Sequence, residues 1–287
     1  NITTGLAENK FGISMQDMNN VKMMGSLLDR LLSYVSSAPE RDANYDIAVA
    51  LLRNYSQLKG LALSQIADLC YTSNASISRF CRFLGMDNFK EFQSWMERDF
   101  TMRTDYSRQF YTMLHNNQET AISAYRDALI GNIYTTIAPE NAQVIPDIVK
   151  TLHDCGKAAY FSHHFLWDIG HYFQSKMMMM GRYVELFMDY ATQLECARSL
   201  TEKDFAIICS VGGSYLTRYP DICNAILSSG CKMLIITQNL ASPYLNTADF
   251  ILQCGTTNRN DVGKYAALMA NDLILMGYLR AYDKAFQ

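Results

Sequence analysis

The feature that most constrains the fold is a change of hydrophobic period near Gly156. From about Asp17 to Ile137, apolar residues recur at three- and four-residue spacing, the period of one helix face. Leu27, Leu28, Leu31, Leu32 and Val35 form one such face, closed by Pro39; Ile47, Ala48, Leu51, Leu52 and Tyr55 form the next. A long helix is expected over 119–137, and Pro139 opens another that runs to about Cys155. After Gly156, short apolar runs at 158–161, 183–187, 205–211, 233–237 and 250–252 alternate with helical stretches at 165–180, 189–199, 215–229 and 260–282. Strands alternating with helices make βαβ units, and right-handed crossovers wind such units into a parallel sheet covered on both faces. The expected class is therefore α/β: an all-α N-terminal domain followed by a doubly wound parallel-sheet sandwich.

Length agrees with this division. At roughly 150 residues per domain, 287 residues suggest two domains. We place them at 15–100 and 125–287, joined by a polar linker at 101–124 with scattered aromatics (Tyr106, Phe110, Tyr111). With 49% apolar residues, the chain has ample material for a packed core. Its 25 basic and 28 acidic residues give a formal charge of −3, which excludes a chain that coats nucleic acid non-specifically but leaves room for one local basic face. The eight cysteines include no C-x-x-C pair, and Cys70 and Cys209 lie in apolar runs. Core thiols in a reducing compartment are expected, not a disulfide framework. Asn1-Ile2-Thr3-Thr4 lacks the basic and apolar regions of a signal peptide, and no run approaches the ~18 apolar residues of a membrane span. The expected location is cytoplasmic, with no membrane partner.

Residues 61–92 carry the most specific signal. Leu63 to Cys70 reads as a short helix capped by Ser64, Tyr71-Thr72-Ser73 as a tight turn, and Ala75 to Leu84 as a second helix capped by Ser73 or Asn74 and stopped at Gly85. Ile66, Ala67, Leu69, Ile77, Phe80, Cys81 and Leu84 would pack the pair together, leaving Asn74, Ser76, Ser78, Arg79 and Arg82 outside. A bracing helix followed by one that presents its N-terminal side chains is the build of a helix-turn-helix. The stretch from Ser64 to Phe92 resembles the RpiR/MurR family of bacterial transcription regulators, with Ser76-Ile77-Ser78-Arg79-Phe80 and Leu84-Gly85 in register and Met86 in place of the usual Phe. Position then makes Ser73, Asn74, Ser76 and Arg79 candidates for base or phosphate contact, and Arg82 and Lys90 for the backbone of a double-stranded DNA operator. Between Lys59 and Lys90 stand four basic residues and two acidic ones, a local balance of +2. So small a footprint calls for a homodimer or homotetramer reading paired half-sites.

The second half resembles a SIS (sugar isomerase) domain, the effector module of the same family. The likeness rests on Asp204 to Ser214, on Cys231 to Asn239, and on Ser242-Pro243 and Ala248-Asp249. The resemblance implies a sugar phosphate bound at the strand ends, with Ser210, Gly212, Gly213, Ser214 and Thr217 around the phosphate and Ser162, His163 and His164 in the first turn. The first turn departs from the family's Gly-x-Gly-x-Ser: Tyr160-Phe161-Ser162-His163-His164-Phe165 sets bulky residues where glycines let the backbone approach a phosphate. Ser214 stands where Glu is common, and Asn260-Asp261-Val262-Gly263-Lys264 replaces a Ser-Arg pair.

His164, Asp168 and His171 share a helix face at metal-ligand spacing. Phe165, Leu166, Ile169 and Phe173 make that helix a packing element instead, so no metal or cofactor is expected. Met177 to Met180 read as core or interface. The expected function is a DNA-binding transcriptional regulator of sugar metabolism, modulated by a phosphorylated sugar, and not an enzyme. Two alternatives stand beside it: a sugar-phosphate isomerase with His163, His164 or Glu195 as base, and a constitutive DNA-binding dimer whose effector pocket is lost.

Overall fold

A computed structural model describes residues 26–38, 40–101, 108–259 and 262–282. The start of the helical pattern near Asp17, Pro39, part of the 101–124 linker and the Asn260-Asp261 pair lie outside the described residues. The chain divides into two units, one at Gly25–Asp105 and one containing Tyr106–Gln287.

The first unit is all helix: α1 (Leu27–Ser37), α2 (Ala43–Arg53), α3 (Leu63–Leu69), α4 (Asn74–Phe83) and α5 (Phe89–Thr101). Helix α1 starts at a reciprocal cap, the Asp29 N–H donating to Ser26 Oγ and the Ser26 N–H to Asp29 Oδ2, both at 2.9 Å. Helix α3 starts at Leu63, as its sequence suggests, but its cap position is Ala62 and not Ser64. Ser64 lies inside the helix and caps nothing, because the Gln65 side chain reaches back to accept the Ala62 N–H at 2.8 Å. Helix α4 is capped by Ser73, whose Oγ accepts the Ser76 N–H at 3.1 Å. The core joins Leu27 and Leu31 of α1, Leu51 of α2, Ile66 of α3, Phe80 of α4 and Phe92 of α5, all fully buried. Leu69 and Cys70, expected in that core, are only partly buried.

The second unit opens with three helices, α6 (Arg108–Asn116), α7 (Gln118–Thr136) and α8 (Pro139–Asp154). Helix α6, in the segment set apart as a linker, packs on α7 through Phe110 and Tyr125, ring centroids 6.3 Å apart. There follow β1 (Ala158–Phe161), α9 (Phe165–Met179), β2 (Glu185–Leu186), α10 (Tyr190–Ser199) and β3 (Phe205–Cys209). The chain ends with α11 (Ser214–Arg218), α12 (Pro220–Ser229), β4 (Lys232–Thr237), β5 (Phe250–Gln253) and α13 (Gly263–Tyr282).

All five strands are parallel, in the order β2-β1-β3-β4-β5, with Tyr160 beside Ile207 and Ile208 beside Ile235. Successive strand residues face opposite sides. Tyr160, Ile207 and Cys209 enter one core with α8, α9 and α13, while Phe161, Ala206 and Ile208 enter the other with α10 and α12. Burial on both faces explains why the strands read as continuous apolar runs instead of alternating ones.

Several boundaries differ from the sequence pattern, among them the end of β3 at Cys209. Strand β2 keeps only two paired residues, and the 215–229 stretch is two helices. Pro220 has no N–H to continue α11 and instead opens α12. All eight cysteines are free, Cys70 and Cys155 being partly exposed and the other six buried. Burial pushes the Cys223 thiol up to about 12, the behaviour of an inert core thiol.

Candidate functional site

Two surfaces gather the residues singled out by the sequence. The first lies along the start of α4. Ser73, Ser76 and Arg79 are spaced by three and share one stripe of the helix. Ser73 Oγ lies 3.0 Å from Ser76 Oγ, and Arg79 Nη2 donates to the same Ser76 Oγ at 3.1 Å. This row holds the guanidinium along the helix and leaves its remaining donors open. Asn74, Arg79, Arg82 and Lys90 are exposed. Ser78 turns back to donate to Asn74 O at 2.9 Å, which removes its hydroxyl from the open set. A tie invisible to sequence braces the helix end: Arg30 Nη1 donates to Leu84 O at 2.8 Å while its guanidinium lies 4.7 Å from the Trp95 ring centre.

The second surface lies at the C-terminal ends of β1, β3 and β4. Strand order reverses between β1 and β3, and the turns that leave these two strands stand at the usual ligand position in such sheets. The turn after β1 carries Ser162, His163 and His164; the turn after β3 carries Ser210 to Ser214. His164 adopts φ 51°, a conformation glycine supplies without cost. The first turn thus keeps a glycine-like backbone while presenting an imidazole.

His163 is buried, its ring centre 5.5 Å from that of Tyr215, 5.4 Å from Tyr219 and 4.6 Å from His164. Burial, reinforced by the nearby His164 and Arg218 charges, pushes its pKa down to about 3, so the ring is neutral at physiological pH. Its Nε2 meets Ser214 Oγ at 3.3 Å, and its buried Nδ1 has no hydrogen-bond partner among the described residues.

Besides the two histidines, the six other effector candidates separate into two sets. Ser162 and Ser210 point inward and are buried, and Ser210 Oγ accepts the Tyr215 N–H at 3.0 Å, bracing the turn. Gly213, at φ 80°, is closed over by Asn239, whose Nδ2 would lie 2.7 Å from an added Cβ. Gly212, Ser214 and Thr217 are exposed, and nothing lies within 4 Å of a Cβ added at Gly212.

Sequence reasoning missed Gln193, the buried link between the two turns. Its Nε2 donates to Ser162 O at 3.0 Å and to Phe187 O at 2.8 Å, while its Oε1 accepts the Tyr215 hydroxyl at 2.6 Å. A glutamine inside an otherwise ordinary amphipathic helix was the only available signal. His171 stacks flat on Trp167, centroids 5.5 Å apart, and among the described residues no group of three His, Cys, Asp or Glu side chains converges for a metal.

Residues 27–103 match the family described as the helix-turn-helix domain, rpiR family. The chain is 22% identical over 258 residues to an uncharacterized HTH-type transcriptional regulator of Haemophilus influenzae, covering 87% of this chain and 88% of that one. It is 24% identical over 211 residues to another from Caldanaerobacter subterraneus, covering 72% of each. Among solved structures it is similar to the Vibrio vulnificus NanR protein complexed with ManNAc-6P, at 16% identity and TM-score 0.48, over 88% of this chain and 92% of that one. It is also similar to the sugar isomerase domain of an RpiR transcription factor from Sphaerobacter thermophilus, at 17% identity and TM-score 0.46, over 58% of this chain and 91% of that one. Among the described residues no helix is long and apolar enough to cross a membrane. The chain therefore carries a helix-turn-helix domain of the rpiR family and is similar along most of its length to HTH-type transcriptional regulators.

Proposed function

We propose that the protein is a DNA-binding transcriptional regulator whose parallel-sheet unit takes a phosphorylated sugar as its signal. The observation that carries the DNA arm is the Ser73–Ser76–Arg79 row at the start of α4, with Ser73 and Arg79 exposed and Ser76 half-buried, inside the rpiR-family match. Arg79 offers donors to a base edge or phosphate, Asn74 to a base edge, and Arg82 and Lys90 charge to the backbone.

The effector arm rests on the two turns at the β1/β3 reversal, where Gly212 and Ser214 are open, Thr217 is exposed with its hydroxyl turned back to Ser214 O, and the neutral His163 stands behind Ser214. Hydroxyls and glycine N–H groups suit a phosphate, and an imidazole suits a sugar hydroxyl. The unit is a binding module in this reading. A base with a pKa near 3 is too weak to abstract a proton at neutral pH, so His163 is unsuited to isomerisation.

The protein acts as a cytoplasmic homodimer or homotetramer. Met179 and Met276, 83% and 57% exposed, flank a cavity of about 620 Å³ between α9 and α13. A second subunit covering this apolar face would pair two helix-turn-helix units for a two-fold operator.

The test is a fluorescence-anisotropy titration of the full chain against the duplex upstream of its own coding sequence, with and without a panel of sugar phosphates. Saturable binding weakened or strengthened by one member of the panel is expected. Binding indifferent to every sugar phosphate would leave a constitutive DNA-binding dimer in place of the effector arm.

A further inference from the structure

Helices α3 and α4 end with the same hydrogen-bond pattern. At the end of α4, the Gly85 N–H donates to Arg82 O and the Met86 N–H to Cys81 O, both at 2.9 Å, with Gly85 at φ 85°. At the end of α3, the Tyr71 N–H donates to Asp68 O at 3.0 Å and the Thr72 N–H to Ala67 O at 2.9 Å, with Tyr71 at φ 51°. Both are left-handed helix ends in which the first residue past the cap takes positive φ, the position glycine fills without strain. The chain uses glycine at one end and tyrosine at the other.

Tyr71 is offset by no packing. It is 96% exposed, so its ring recovers almost none of the burial that makes aromatic residues stabilising. A backbone penalty combined with an unburied aromatic ring indicates a side chain retained for a contact outside the subunit. The place of that contact follows from the chain. Tyr71 lies two residues before Ser73, the cap of the helix that bears the DNA-facing row, and within ~7 Å of it along the backbone. Its neighbours in that row are donors for an anionic partner, and a phenol supplies one more donor without adding charge.

We propose that Tyr71 is a DNA-backbone contact: its hydroxyl donates to a phosphate flanking the site read by α4, and so fixes how that helix enters the groove. Tyrosine is among the side chains that make such phosphate contacts, which set register without carrying sequence information. The inference rests on the DNA-binding reading above.

The experiment compares the full-length wild type with Tyr71→Phe and Tyr71→Gly by anisotropy, on the duplex upstream of the coding sequence and on an unrelated duplex of equal length. Tyr71→Phe should weaken both by about tenfold, the worth of one hydrogen bond to a charged group. The ratio between the two duplexes should be preserved, and so should the salt dependence, because no charge is lost. Tyr71→Gly should weaken binding at least as much while raising the melting temperature, which separates lost contact from lost fold. Tyr71→Phe that binds with wild-type affinity overturns the proposal. Wild-type protein that binds neither duplex would instead remove the DNA-binding reading on which it stands.

Discussion

His163 Nε2 lies 3.3 Å from Ser214 Oγ, and this contact joins the turn after β1 to the turn after β3. The imidazole is buried and neutral, and that state contributes to how the unit responds to acid. In the folded protein the His163 pKa is pushed down to about 3 from an ordinary value of 6.5, chiefly by burial. Between these values the unfolded chain binds a proton that the folded one does not. Stability from this group is full above about pH 6.5 and declines toward pH 3, by up to about 1.4 kcal/mol per pH unit. Urea unfolding of wild type at pH 6.5, 5.5 and 4.5 should show that decline, and His163→Leu should flatten it. Equal slopes for the two proteins would refute the assignment.

Gln193 satisfies three buried groups at once, the carbonyls of Ser162 and Phe187 and the hydroxyl of Tyr215. Gln193→Leu is nearly isosteric but leaves all three unmatched. At about 1–3 kcal/mol for each unsatisfied group, a loss of roughly 3 kcal/mol or more is expected. Calorimetry should find the melting transition of the sheet unit lowered well beyond the effect of the exposed change Glu195→Gln on the same helix.

Arg79 is positioned by Ser76, so the two substitutions should differ in kind. Arg79→Ala removes a charge and should reduce the slope of log affinity against log salt by about 1, along with an affinity loss of roughly tenfold or more. Ser76→Ala frees the guanidinium without removing it. The salt slope should persist while discrimination between the upstream duplex and a scrambled one declines.

The exposed methionines of α9 and α13 make the oligomer testable. Met276→Lys places a charge on a face with Met179 and Leu279 that a second subunit would cover. Light scattering after size exclusion should show wild type as a dimer or larger and the variant as monomer, with DNA affinity reduced accordingly. A wild-type monomer at micromolar concentration would rule out this interface.

The amino-acid sequence by itself determined the kinds of element and their succession. Helical periods in the first half and short apolar runs in the second are written into neighbouring residues, because each period is a local consequence of backbone geometry. A cap at Ser73 or Asn74, Gly85 as a stop and the strand Ala158–Phe161 were legible for that reason, the structure choosing Ser73. Where the local rule had competitors, it failed: Gln65 displaced Ser64 at the start of α3, and Pro220 divided one helical stretch into two.

The site was legible only in part. The serines and glycines of the two turns could be named from the sequence, but which of them faced outward could not. Ser210 turned inward to accept the Tyr215 N–H, Ser162 is buried with its backbone carbonyl held by Gln193, and Gln193 disclosed its role only once α10 was laid beside both turns. His163 and Ser214 are separated by 51 positions. Only the tertiary structure decided that they meet, because the order of strands in a sheet is set by packing of the whole unit and not by any period along the chain.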